Sequence, residues 1–276
     1  MLHFPRRTLV TGPTTEPVTL AEVRRHLLVD PPASIVSSSV ANPTVITTTA
    51  AHGYATGDRV TISGHTGSTP GLNATHIITV TGATTFTVPV NVTVGGTGGV
   101  ALRAHPHDDL LTGWITAARG VVERMTDRQL LPARWRVKFD RFPRWREPIE
   151  LPLPPLQSVV SVTYIDPGGA TVTWSSLEYV VDAPSGPQAT AGRLYPALGL
   201  DYPTTGAIED AVTVEFDAGY ASAAAVPQEL KQAMYLLIGA WYEHREAVLP
   251  DGASLPEFLA VETLLLPFRR LVALVR

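Results

Sequence analysis

The chain has 276 residues, 45% of them hydrophobic, and a formal net charge of −4. That is enough apolar sequence for a sizeable core and lacks the basic surplus of a dedicated nucleic-acid grip. With no cysteine anywhere, disulfides, thiolate metal sites and cysteine nucleophiles are excluded.

In chain order, "MLHFPRRTLV" carries Arg6 and Arg7 but no apolar run after them, so no secretory signal is expected. No stretch of about 18 apolar residues is free of charge or proline, so no membrane span is expected. "EPVTLAEVRRHLLVDPP" then predicts a short helix. Val18, Leu20, Val23, Leu27 and Leu28 fall on one face, and Arg24 and Arg25 on the other. Thr19 with Glu22 makes a capping box, and Pro31 and Pro32 forbid continuation. A helix this short needs a packing partner.

Between Ala33 and Ala104 the only formal charges are Asp58, Arg59 and Arg103. "TVITTTA", "DRVTISG", "ATHIITVTG" and "TTFTVPV" read as strands bounded by Gly, Asn and Pro turns. The change of composition at both borders marks a small all-β module, residues 33–104, inserted into a host made of residues 1–32 and 105–276. Helical periodicity returns at "HPHDDLLTGWITAARGVVERM". Asp108 or Asp109 can cap it. Leu110, Leu111, Trp114, Ile115, Ala118, Val121, Val122 and Met125 form an apolar stripe, with Arg119, Glu123 and Arg124 opposite. This is the expected partner of the first helix.

The period then changes to two. Trp135, Val137 and Phe139 alternate with Arg136 and Lys138. "VVSVTYID" leads into Pro167 and Gly168, which suit the centre of a type II turn. "ATVTW", "EYVVD", "GRLYP" and "AVTVEFDAGY" continue an antiparallel sheet. The prolines of "ELPLPPL" place that run at an edge or a strand end. Pro227 opens a helix whose buried side is Leu230, Ala233, Met234, Leu237, Trp241 and Tyr242. Ser254 and Glu257 form another capping box, and Pro267 stops or kinks the helix that follows it.

Chemistry-bearing patterns are few. "GGTGG" lacks the Lys-Ser/Thr of a phosphate loop and reads as a β-turn. "HPHDD" (His105, His107, Asp108, Asp109) has metal-ligand residue types, but sits where aspartate belongs as a helix cap. "YEHRE" lacks the second histidine of a metalloprotease helix. Ser185 in "PSGP" lacks the strand–turn–helix setting of a nucleophile elbow. No catalytic, cofactor-binding or metal residue is therefore assigned, and no cofactor is expected. "DRFPRWREP" is a polar, Pro-rich loop in which Arg141, Phe142, Arg144, Trp145 and Arg146 either face a partner or are simply solvated.

"EPVTLAEVRRHL", "DDLLTGWITAARGVVERMTDRQLL", "IELPLPPLQSVVSVTYID" and "VPQELKQAMYLLIGAWYEHREAV" together resemble, in order, the head-to-tail connector (adaptor) family of tailed bacteriophages and gene transfer agents. The stretch from Asn42 to Val88 resembles the small β-barrel of the first catalytic-cysteine half-domain of ubiquitin-activating enzymes, without any cysteine to carry that chemistry.

The first resemblance implies an α+β fold: a helical bundle with an antiparallel sheet elaboration, and here a β-barrel inserted between the first two helices. It implies a non-enzymatic virion protein, assembled in the host cytoplasm. Copies would form a homo-oligomeric ring of twelve below the portal protein. The ring would extend the channel for genomic DNA, without sequence-specific contact or membrane contact, and receive a stopper or tail protein. The tail "LLLPFRRLVALVR" would supply Leu266, Phe268, Arg269, Arg270, Leu271, Leu274 and Arg276 to the portal or a neighbouring subunit. Its own helices are the other surface it could cover. Another tail or baseplate component, or an enzyme with an unrecognised site, are the remaining readings.

Overall fold

The structure, a computed structural model, describes residues 6–29, 32–105, 107–244 and 256–269. Strand β1 (Arg6–Thr11) and helix α1 (Leu20–His26) come first. Seven strands follow: β2 (Ala33–Ser38), β3 (Thr44–Thr48), β4 (Arg59–Ser63), β5 (Thr75–Ile77), β6 (Thr79–Gly82), β7 (Thr85–Val88) and β8 (Val100–Arg103). Beyond helix α2 (Asp108–Thr126) lie β9 (Ala133–Phe139), β10 (Ile149–Leu151), β11 (Leu156–Ile165), β12 (Thr171–Thr173), β13 (Tyr179–Asp182), β14 (Gly192–Pro196) and β15 (Val212–Ala218). Helices α3 (Gln228–Glu243) and α4 (Pro256–Leu265) complete the described elements. The chain divides into two compact units, Thr19–Trp114 and the combined segments Met1–Val18 and Ile115–Arg276.

The expectation of a helical bundle is overturned. Three sheets make up the body, and the four described α-helices are short, α1 being one of 7 residues. The reason is visible in the core. Val137, Val162, Val212, Val214 and Phe216, all alternating strand positions, are fully buried beside Leu151 and Leu194 of the smaller sheet. Strand faces, not helix stripes, remove that apolar area from water.

In the larger unit, β1-β9-β15-β11-β12 form one antiparallel sheet and β10-β14-β13 a second, and the two share a core. Trp135, Val137 and Phe139 turn toward it. Arg134 and Arg136 turn outward and pair across the register with Asp217 at 2.8 Å and Glu215 at 2.5 Å. β10, from the "ELPLPPL" run, is indeed an edge. The β11–β12 turn differs from expectation: Gly168 is not left-handed. Gly169 is, at φ 87°, and it is the last residue of the four-residue turn that its own amide closes onto the Asp166 carbonyl (3.0 Å). This is the three-residue hairpin in which a left-handed glycine follows a type I turn.

Helix α2 buries Leu111, Ile115, Ala118 and Val122 at three- and four-residue steps, while Leu110 stays exposed. Its polar side does more than meet water. Glu16 accepts from Thr116 and Arg119, and Arg119 also reaches Glu123. Glu123 takes the Gln129 amide and the Leu130 N–H, and Gln129 in turn accepts from the Trp135 indole. Burial pushes the Glu123 carboxyl upward. Helix α3 buries Leu230, Ala233, Met234 and Leu237 as predicted, with Tyr235 and Ile238, while Trp241 and Tyr242 are only partly covered. Pro227 is its N-cap.

In the smaller unit, β5-β4-β8-β2-β3-β7-β6 form a nearly closed sheet around Ile46, Val60, Ile62, Leu72, Ile78 and Phe86. The Thr19–Glu22 capping box of α1 is present. The prolines do not end the helix. Leu28 does, left-handed at φ 55°, with Val29 N–H on the Arg24 carbonyl and Leu28 N–H on the Arg25 carbonyl, a Schellman closure without glycine.

The expected polar position of Arg24 is wrong: it is fully buried. Its Nε donates to Asp108 Oδ1 at 2.8 Å, Nη2 reaches the same oxygen, and Nη1 donates to the Arg103 carbonyl at 2.5 Å. A guanidinium fork thus joins α1, the end of β8 and the first turn of α2.

Candidate interaction surface

The loop after β9 folds around one buried ring. Phe142 stacks on Tyr202 (centroids 5.1 Å apart) and meets Trp174 (5.3 Å) and Tyr164 (5.8 Å) edge-on. It therefore belongs to the core rather than to a surface cluster. Three residues on, the chain turns back: the Glu147 N–H donates to the Arg144 carbonyl at 3.1 Å. The two central residues, Trp145 (φ 58°) and Arg146 (φ 64°), are both left-handed. That is the sign pattern of a type I′ turn, which Asn-Gly adopts readily. For two residues with large side chains it costs roughly 1–2 kcal/mol each.

The turn is held from below. Arg146 Nη2 donates to the carbonyls of Pro196 (3.0 Å) and Ala197 (2.9 Å). The Tyr202 hydroxyl donates to the Glu147 carbonyl at 2.7 Å and leans on Leu194 O at 3.2 Å. Trp145 is left 91% exposed at the tip. Leu177, just before β13, and Leu198, just after β14, are 89% and 98% exposed. The Ala197 N–H bonds the Glu178 carbonyl, so all three apolar tips gather at one end of the three-stranded sheet. Of the predicted loop residues, Trp145 faces solvent, Arg146 locks the turn, and Arg141 and Arg144 are exposed.

Burial raises the Tyr202 phenol to about 12. An acid whose folded value lies above its unfolded one near 10 retains its proton in the fold but loses it when unfolded. Its share of stability is intact below pH 10 and declines as pH climbs toward 12. An ultraviolet phenolate titration should therefore show, among the late-ionising tyrosines, one near 12 in the wild type that is missing from Tyr202→Phe. That variant should lose about 1 kcal/mol at neutral pH with its hydrogen bonds.

The tail residues are divided. Leu266 is exposed, Phe268 is buried, and Arg269 pairs with Glu262 at 3.3 Å. The Phe268 carbonyl accepts from Arg128 Nε at 2.7 Å, and the Arg128 guanidinium lies 5.9 Å from the Phe268 ring. Burial lowers the Arg128 pKa, partly opposed by Tyr220. Sequence reasoning missed this anchor, because "TDRQLL" and "LPF" are remote in the chain. Arg270, Leu271, Leu274 and Arg276 lie outside the described residues, as does the Ser254 part of the expected capping box.

Arrangements with catalytic residue types are occupied structurally. Ser38 Oγ lies 2.9 Å from His65 Nε2, but both are buried, and His65 Nδ1 is engaged by the Gly98 carbonyl at 2.7 Å. Ser38 Oγ also accepts from Gly96 N–H. A Cβ on Gly96 would lie 2.5 Å from the Thr66 carbonyl, so the glycine run is a tightly packed clasp rather than a phosphate loop. Asp108 of "HPHDD" is taken by Arg24 and by the His105 N–H. Among the described residues no group of three or more His, Asp or Glu is placed to hold a metal, and no helix is long and apolar enough to cross a membrane.

A chain of the native gene transfer agent (GTA) particle virion is similar to this one. The two are 25% identical, with a TM-score of 0.51, over 63% of this chain and 83% of that one. A chain from the neck of the native GTA particle, determined with C12 symmetry, is 22% identical with a TM-score of 0.50, over 60% of this chain and 85% of that one, and shares the fold. No protein-family model and no curated protein matches. The likeness to the virion chain supports a structural protein of such a particle.

Proposed function

We propose that the chain is a head-to-tail connector subunit of a tailed phage or gene transfer agent particle. Twelve copies form a ring under the portal protein, lengthen the channel through which genomic DNA passes, and present a platform to a stopper or tail protein. The observation that carries this reading is the likeness to a GTA virion chain across most of that chain's length. In the same reading, residues 33–104 are a module inserted into a connector domain made of 1–32 and 105–276. Their resemblance to the small ubiquitin-activating-enzyme barrel is one of fold alone. The chain beyond Phe268 reaches the portal or a neighbouring subunit. DNA passes without readout, since a chain of net charge −4 has few counterion-releasing contacts to offer a duplex.

The test is particle production without this chain. DNA-filled heads lacking tails should accumulate, and restoring the chain should restore a density ring between head and tail in electron micrographs. Tailed particles produced in its absence, or a tagged chain found at the distal tail end, would refute the connector reading.

A further inference from the structure

Arg128, two residues past the end of α2, is 5% exposed. Its Nε donates to the Phe268 carbonyl at 2.7 Å. The guanidinium also donates to the Tyr220 hydroxyl, which itself donates to the Pro187 carbonyl at 2.6 Å. Nη1 meets no acceptor among the described residues. The acceptors around this cation are thus neutral. Arg24 and Arg119, which are also largely covered, each reach a carboxylate. The acidic residues nearest to Arg128 in the chain, Glu123 and Asp127, are engaged by Arg119 and Arg7. Burying a cation without a counter-ion is costly, and an apolar side chain of similar volume is often as stable or more so. The fold of the isolated chain therefore gains little from a charge at this position. An anion that meets it from outside gains a great deal.

We propose that Arg128 is a carboxylate seat, filled in the particle by an acidic side chain of the next copy or of an adjoining particle protein. The proposal rests on the ring reading above and names one of its contacts. The piece that covers the seat is short: the three-residue 3₁₀ turn Leu266–Phe268, whose Leu266 is already exposed. Beyond its own packing, the turn offers Arg128 one neutral carbonyl and one ring face, 5.9 Å from the guanidinium. Once the turn lifts, a carboxylate reaches Nη1, supplies the missing acceptor and neutralises the buried charge. A hydrogen bond to an ionised partner is roughly twice as strong as one to a neutral carbonyl, so the exchange favours the carboxylate. Arg128 then holds the Phe268 segment in the free chain and a partner's acidic group in the assembly.

The test uses the full chain as wild type, Arg128→Met and Arg128→Lys. Arg128→Met fills a similar volume without the charge and should melt no lower than the wild type. Sodium acetate should raise the melting temperature of the wild type above its value in sodium chloride of equal ionic strength. It should leave Arg128→Met unmoved, and Arg128→Lys should keep part of the response. In particles, the copy number of Arg128→Met should fall on the order of tenfold, as for a lost hydrogen bond to a charged group. Particles with no ring would name the next copy as the source of the carboxylate. A ring that lacks its adjoining component would name that component. A clear drop in the melting temperature of Arg128→Met, an acetate response that is absent or shared by Arg128→Met, or normal occupancy by that variant overturns the seat. Arg128 is then a pin for Phe268, with at most a water on Nη1. Wild-type particles holding isolated single copies would remove the ring reading, and the acetate response would still decide the seat.

Discussion

Replacing Phe142 by alanine should lower the stability of its unit by about 3–5 kcal/mol, the range for truncating a buried aromatic. The ring is nearly inaccessible and touches Tyr164, Trp174 and Tyr202, so its removal opens a void between two sheets and unseats the Tyr202 hydroxyl. Trp145→Ala, three residues away, should change stability by less than about 0.5 kcal/mol, because its side chain is in water. Denaturant unfolding followed by near-ultraviolet circular dichroism separates the two. A loss below about 1.5 kcal/mol for Phe142→Ala would mean that the loop re-packs and is not held by this ring.

Arg24→Ala should be comparably severe for the unit spanning Thr19–Trp114. It removes every donor from Asp108 Oδ1 and from the Arg103 carbonyl that Arg24 now supplies, and it empties a site with no solvent. Breaking one partner of a buried pair costs about 3–5 kcal/mol. The lower end is expected, since Asp108 keeps partial contact with water. Arg24→Lys should rescue little: an ammonium cannot hold the fork that reaches two acceptors on separate segments. Thermal unfolding of both variants decides this. A lysine variant as stable as the wild type would show that charge alone, not the fork, ties α1 in place.

Legibility followed the range of the interaction. The β9 alternation needed only neighbouring residues, so Trp135, Val137 and Phe139 were placed correctly. So were the Thr19 cap and the edge position of β10. Arg24 was misplaced because a helical wheel assigns arginine to water. Its acceptors lie 79 and 84 positions away in the chain. Phe142 sits among arginines and prolines, a composition that hides a core residue. The left-handed pair at Trp145–Arg146 has no glycine or asparagine to announce it. The helical-bundle expectation came from resemblance and not from periodicity. The two-residue alternation from Ala133 to Ala218 already carried the sheets that replaced it. Within the candidate surface, the sequence singled out the loop as one that either faces a partner or is solvated, but not which aromatic faces outward, because burial is decided by Tyr202 and Trp174, far along the chain.

The first and last strands of the nearly closed sheet are partners: Ala33 lies opposite Ala101 and Ser34 opposite Val100. The chain therefore enters and leaves this sheet at adjacent points. A stretch of coding sequence with that property can be exchanged in one recombination event, since any replacement whose two ends meet joins to the same two residues. Closing a loop of different length between such ends changes the cost only logarithmically. Hybrid chains spliced at Ser34 and Val100 should be the ones that tolerate foreign strands.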